Sequence, residues 1–395
     1  MTPRVAVVYH FFPHYRSAIV RELVRSNKFS WAFYGDTEDF DSDIKPMEFP
    51  LSVRFHRLPV HRLYKSIMWQ SGVVRLAASR DCDVLILLGV SKYLSMWPAA
   101  VIGRLTGKRV LFWTHGWTYR PRGPLRYVRR WFYRLANALM VYGRWSKQIA
   151  IEEGFDPSKV HVIGNCLDLA AQQSALSAMP ETRPEEVRIA LFGESTTAVV
   201  ACTSRLTRVR RLDMLLDALV ILRDKGHKTN VIIIGDGPER VNLEKQAAKL
   251  DISVAFIGAC YDESRIGELL RASNVTVAPG KVGLTAMHSM AFGIPVVTHG
   301  NHEEQMPEFE AIVPGKTGAL FKEGNLNSLA DAIKPWIQEQ WPRSQTSLDC
   351  QTIVDRFWSP KFQCAAILRA VEGHPADDLF YVRLKQEQTD AGLTS

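Results

Sequence analysis

Residues 274–300 (NVTVAPGKVGLTAMHSMAFGIPVVTHG) constrain the fold more than any other stretch of the chain. A β-branched run at 275–278 reads as a buried strand, and Pro279-Gly280 breaks it. A helix is expected over 284–292, with Leu284, Met287, His288 and Ala291 along one face and Gly293 as its C-terminal cap. The next strand is expected at 295–298. Strand, glycine-broken loop, helix and strand make one βαβ unit. The start of such a helix suits phosphate, because unpaired N–H groups and the helix dipole both favour negative charge; an ordinary crossover without ligand has the same pattern.

The same grammar runs through the rest of the chain. Strands are expected at 5–9, 30–33, 53–56, 84–88, 109–113, 138–142 and 160–163, with helices at 16–26, 65–79, 93–106, 125–136 and 146–153. In the second half strands are expected at 198–203, 230–234 and 254–257, with helices at 212–225, 240–250, 263–272 and 326–337. Alternation of this kind predicts parallel sheets covered on both faces. The stretch after Asp168 is rich in Ala, Ser, Gln, Pro and Glu and reads as a connection. The expected organisation is an N-terminal Rossmann-like domain at 1–170, a linker at 171–194 and a second such domain at 195–357. A crossover helix and polar tail follow at 358–395. Two doubly wound α/β domains facing across a cleft is the fold class this predicts.

Charge narrows the partners. The net charge is +8, and no acidic residue falls between Asp83 and Glu152, where twelve Lys and Arg do; a surface there is expected to face something anionic. Over 125–136 Leu125, Val128, Phe132 and Leu135 form an apolar face, while Arg126, Arg129, Arg130 and Arg134 crowd the other side. That arrangement suits an anionic membrane leaflet or an anionic lipid-linked acceptor, and equally a solvated basic face packed on its sheet. No nucleic-acid fold accompanies the charge, so nucleic acid is not expected. No apolar run approaches the ~20 residues of a membrane span. The first residues lack a secretory signal, and the six scattered cysteines suit free thiols in a reducing cytoplasm. Asp39, Asp41 and Asp43 follow no strand, and His10 and His14 are separated by Pro13; neither group reads as a metal site, and none is expected.

Four places in the second half suit one ligand. Arg205 follows a strand and Arg210 opens the next helix, a pair suited to a diphosphate unless both are merely solvated. Gly235-Asp236-Gly237-Pro238 makes a tight turn, read first as structural. The Gly280–His288 loop and helix come third, and Glu308 in a short helical segment is fourth.

Together these resemble retaining glycosyltransferase family 4 of the GT-B fold, over most of the chain and most strongly at 202–333. The matching residues are Arg205-Leu206, Arg210 and Asp213, then Gly235–Pro238, then 291–297 (AFGIPVV); Asn165–Asp168 is similar to the run before the family's linker. The resemblance implies a nucleotide-diphosphate sugar donor and no metal. It implies stabilisation of the leaving diphosphate by Arg205, Arg210 and the backbone N–H groups of Gly283 and Leu284. It also places Gly235, Gly237, Gly280, Thr285, His288 and Glu308 at the donor and His115 at the donor or reacting centre. The departures are Arg210 where lysine is usual, and Gly280 and His288 where the family has two glutamates, one for the sugar and one for the ribose. Residues 11–16 (FFPHYR) replace a glycine-rich loop. The implied activity is sugar transfer to a lipid-linked glycan or surface polysaccharide, by a cytoplasmic protein peripheral on the inner membrane face. A degenerate sugar-nucleotide-binding partner and an epimerase of similar fold are the alternatives.

Overall fold

The computed structural model describes residues 2–38, 44–120 and 123–377; the Asp39–Asp43 loop, Arg122 and the polar tail after 377 lie outside them. The chain forms two compact units, one of 1–168 with 359–381 and the other chiefly 169–358.

The first unit contains β1 (Arg4–Phe11), β2 (Ser30–Asp36), β3 (Arg54–Arg57), β4 (Val60–Tyr64) and β5 (Ile67–Gln70). It continues with β6 (Val84–Leu88), β7 (Arg109–Thr114), β8 (Ala138–Val141) and β9 (Val160–Val162). Its helices are α1 (Ser17–Arg25), α2 (Val73–Ala78), α3 (Met96–Leu105), α4 (Leu125–Arg134) and α5 (Arg144–Glu152). Seven strands form a parallel sheet in the order β3-β2-β1-β6-β7-β8-β9. All five residues of β6 (VLILL) are buried, as a strand covered on both faces requires. The order reverses direction between β1 and β6, which is where doubly wound sheets take ligands.

The second unit opens with α6 (Leu169–Ala178) and α7 (Arg183–Phe192). These correct the expected linker: they pack on a later helix of the unit, and few of their side chains are buried, so their composition reads as a connection. Then follow β10 (Ala198–Thr203), α8 (Leu212–Asp224), β11 (Thr229–Ile234), α9 (Arg240–Lys249), β12 (Val254–Gly258) and α10 (Glu263–Arg271). After these come β13 (Val275–Ala278), α11 (Thr285–Ala291), β14 (Val296–His299), β15 (Gly318–Phe321), α12 (Leu326–Ile337) and α13 (Arg343–Phe357). The sheet is again parallel, ordered β12-β11-β10-β13-β14-β15, with its switch point between β10 and β13. The expected βαβ unit is therefore β13-α11-β14, beside that point. The final helix, α14 (Pro360–Glu372), belongs to the first unit and packs on α1, where Arg109 donates to the Ala370 carbonyl at 2.9 Å.

The expected helix over 65–79 is mostly a hairpin. β4 and β5 pair antiparallel across a turn in which Lys65 takes φ +46°, and only α2 is helical. Met68 and Gln70 are buried in alternation, a period of two that the apolar residues of this stretch disguise as an amphipathic helix.

Candidate functional site

The carboxyl edge of the second sheet is assembled from four loops. After β10 the segment 204–206 is latched to the turn after β11: Leu206 donates to the Asp236 carbonyl at 2.9 Å, and Glu239 to the Leu206 carbonyl at 3.1 Å. This contact explains the two glycines. Gly235 and Gly237 sit at φ +142° and +158°, and a Cβ on either would lie 1.9 Å and 2.4 Å from the Ser204 and Leu206 carbonyl oxygens. Their place is to let two backbones touch, which sets the path of the loop carrying exposed Arg205.

Arg210 and Gly280 meet across the switch point. The Gly280 N–H donates to the Arg210 carbonyl at 3.0 Å, and the Arg210 guanidinium donates to the Lys281 carbonyl. A Cβ on Gly280 would lie 2.0 Å from the Val209 carbonyl oxygen, so backbone occupies the space a glutamate would need. The Gly280 carbonyl accepts from Gln305 Nε2 at 3.2 Å, so its polar groups hold the loop together. Burial lowers the Arg210 pKa, while Cys202 and the buried Glu308 act in the opposite direction. Gly283 takes φ +56°, with only Arg210 Nη1, 3.8 Å away, near where a Cβ would project. Next to it Thr285 donates to the Thr203 carbonyl, and the Thr203 hydroxyl is buried with no partner.

The structure pairs His288 with a residue that sequence reasoning missed. His288 Nε2 stands 3.1 Å from both carboxylate oxygens of Glu263, at the start of α10. A carboxylate therefore reaches this edge from a neighbouring helix. Glu263 lies 25 positions upstream, and the only local sign of it is the capping Asp262, which marks a helix start and nothing more. Glu304, another carboxylate near this loop, lies 3.6 Å from Lys281.

In the first unit, β7 ends in the turn Thr114-His115-Gly116. Thr114 Oγ1 donates to the Gly89 carbonyl at 2.7 Å and accepts from the Gly116 N–H at 3.0 Å. His115 is thereby fixed beside Tyr142, with ring centres 4.6 Å apart. Burial, then Arg16 and His10, depress its pKa to about 4. The side chain is nevertheless exposed, and water there tempers the effect of burial; the nearby Arg16 cation acts in the same direction, which favours the neutral ring.

Helix α4 departs from the expected packing. Of the apolar face, Phe132 is buried, but Leu125 is 76% exposed, Val128 48% and the neighbouring Trp131 70%, while Arg126, Arg129 and Arg130 are half-buried. The Arg126 and Arg129 guanidiniums lie over Tyr127 and Tyr119, 5.1 Å and 5.7 Å from the ring centres. Leu125, Val128 and Trp131 recur every three residues, so the apolar stripe of the first two turns points to solvent with cations beside it.

Residues 18–171 match the family described as Glycosyltransferase Family 4, and residues 185–349 match Glycosyl transferases group 1. The chain belongs to glycosyltransferase family 4. Its fold is GT-B: over 94% of its length it superposes on all of Anabaena Alr3699/HepE, solved with UDP, at a TM-score of 0.70 and 16% identity. The lipopolysaccharide outer core galactosyltransferase WaaB superposes over 94% of this chain and 99% of its own, at 0.68 and 13% identity. In sequence, this family 4 chain is 35% identical over 121 residues to the GDP-mannose-dependent alpha-(1-6)-phosphatidylinositol dimannoside mannosyltransferase of Mycobacterium tuberculosis. It is 28% identical over 130 residues to the alpha-monoglucosyldiacylglycerol synthase of Streptococcus pneumoniae. These matches cover 30% and 31% of this chain and 31% and 29% of those relatives.

Proposed function

We propose that this glycosyltransferase moves a sugar from a nucleoside-diphosphate donor, held by the second unit, to a lipid-linked or polysaccharide acceptor, with retention and without a metal. The observation that carries the reading is Arg210 at the switch point beside Gly283, with Arg205 on the loop after β10. As the bond from the anomeric carbon to the diphosphate oxygen breaks, negative charge collects on the leaving group. Two guanidiniums and the N–H groups of Gly283 and Leu284 stabilise it in place of a cation. The acceptor hydroxyl attacks on the same face and gives its proton to the leaving phosphate. Neutral His115, in the first unit, is assigned to hydrogen bonding of a reacting hydroxyl. His288 and Glu263 are assigned to the donor's ribose hydroxyls, the carboxylate accepting and the imidazole holding it in place.

We assign α4 to an anionic membrane surface, on the cytoplasmic face. Leu125, Val128 and Trp131 enter the headgroup boundary and the arginines meet the lipid phosphates, at about 1 kcal/mol per basic residue. No helix among the described residues is long and apolar enough to cross a membrane, and the two relatives named above are named for lipid acceptors or products.

A panel of UDP-, GDP- and ADP-sugars, incubated in EDTA with vesicles of anionic lipid and diacylglycerol or phosphatidylinositol, tests the reading. Transfer from one donor class with the anomeric configuration kept supports it. Because backbone fills the space at Gly280, a second reading is a sugar-nucleotide-binding partner without catalysis. Nucleotide binding without turnover under any condition would establish that one instead.

A further inference from the structure

The segment that replaces the expected glycine-rich loop ends in Arg16. Arg16 is 5% exposed, at the carboxyl edge of the first sheet. One Nη donates to Tyr9 Oη at 3.0 Å and to Tyr142 Oη. The guanidinium carbon stands 4.6, 4.9 and 5.7 Å from the ring centres of Tyr9, Trp113 and Tyr142. Arg16 Nε is buried without a partner, and so is Trp113 Nε1. Among the described residues no carboxylate pairs with this cation; its hydrogen-bond acceptors are two neutral phenol oxygens. A guanidinium keeps its proton, and burying it without a counterion is costly, with aromatic faces offsetting only part. The strands β7 and β8 around it come from the acid-free stretch, and the carboxylates nearest this edge, Asp36 and Asp168, are paired with Arg57 and Arg21. The edge adjoins the switch point between β1 and β6, with His115 exposed at the rim.

We propose that Arg16 anchors a phosphate group carried by the acceptor, the donor's diphosphate being assigned to Arg205 and Arg210. The proposal rests on the transferase reading for the word acceptor alone; the anion site itself does not need it. The unpartnered Nε–H supplies a donor for a phosphate oxygen, and Trp113, whose ring centre lies 4.9 Å from the guanidinium carbon, carries a second unpartnered N–H.

The test is nuclear magnetic resonance of the full chain. The Arg16 Nε–H signal is identified by its loss in Arg16→Lys, and the Trp113 indole N–H by its loss in Trp113→Phe. Inorganic phosphate, glycerol 3-phosphate and, separately, UDP and GDP are titrated in. The expected result is a saturable shift of the Arg16 signal with phosphate and with glycerol 3-phosphate, retained in Arg210→Ala. A shift with the nucleotides alone would assign the anion to the donor and overturn the proposal. No shift with any probe would make Arg16 a structural cation in its box and overturn it equally. The titration reads binding and no turnover, so a failed transferase reading leaves its result intact.

Discussion

Arg210 stays charged at the second sheet's edge although burial opposes it, because Glu308 acts against that burial and the Lys281 carbonyl accepts from the guanidinium. Removing it takes away a charge-assisted contact to the proposed diphosphate, worth about 1.5–3 kcal/mol. Arg210→Ala is therefore expected to weaken nucleotide binding roughly ten- to a hundredfold, and Arg210→Lys less, since the charge remains and the fork is lost. A second prediction concerns acid. Burial, then Lys147, Arg109 and Arg369, hold buried His161 at a pKa of about 4, and His115 is depressed to a similar value. The unfolded chain takes up these protons near 6.5, so stability is present above that pH and lost as pH falls from about 6.5 toward 4. His161 alone contributes up to about 3 kcal/mol. Urea unfolding at pH 7 and pH 5 is expected to show the loss, and His161→Gln to show a smaller one. At this scale the sequence is uneven. Arg210 was legible from its spacing to Arg205 and Asp213, whereas Glu263 meets His288 only through packing of two helices. Arg16 was visible only as part of a segment that broke a pattern.

Loops and helices carry the next set of consequences. Gly280→Ala places a Cβ 2.0 Å from the Val209 carbonyl, so the loop that bears Arg210 must move. A loss of about 2 kcal/mol or more in stability is expected, with weaker nucleotide binding. Gly280→Glu, which restores the residue usual in the family, is expected to lower activity instead of raising it. Activity in that variant above the parent's would show that the 207–211 loop yields. For α4, replacing Leu125, Val128 and Trp131 by serine is expected to abolish sedimentation with anionic vesicles while leaving donor binding intact. Raising the salt concentration should weaken the parent's association, because exposed charges are screened. The sequence left two readings of this helix, a membrane-facing apolar stripe and one packed on the sheet, because which side the sheet covers depends on where the strands lie. The hairpin of β4 and β5 escaped for a related reason, since alternating and helical burial overlap in a short apolar run.

Over the whole molecule, the alternation of strands and helices predicted two parallel sheets, and the structure has them, each with a switch point beside the chain's first strand in that unit. The short strands were legible because buried parallel strands read as near-continuous runs without polar alternation, Val, Leu and Ile in β6 and β-branched Val and Thr in β13. The stretch at 171–194 was not, because α6 and α7 bury few side chains, and weakly amphipathic helices leave little periodicity to find. Both proposed anion sites follow the same rule of the fold, at carboxyl edges next to switch points, with arginine as the cation in each. The account therefore stands on a nucleoside diphosphate bound at Arg210. Calorimetric titration of the full chain with UDP, GDP and ADP in EDTA, repeated on Arg210→Ala and His288→Ala, tests it most directly. The account predicts that one nucleotide binds without metal and that both substitutions weaken it, Arg210→Ala at least tenfold. Binding of none, or binding that Arg210→Ala leaves unchanged, would contradict it.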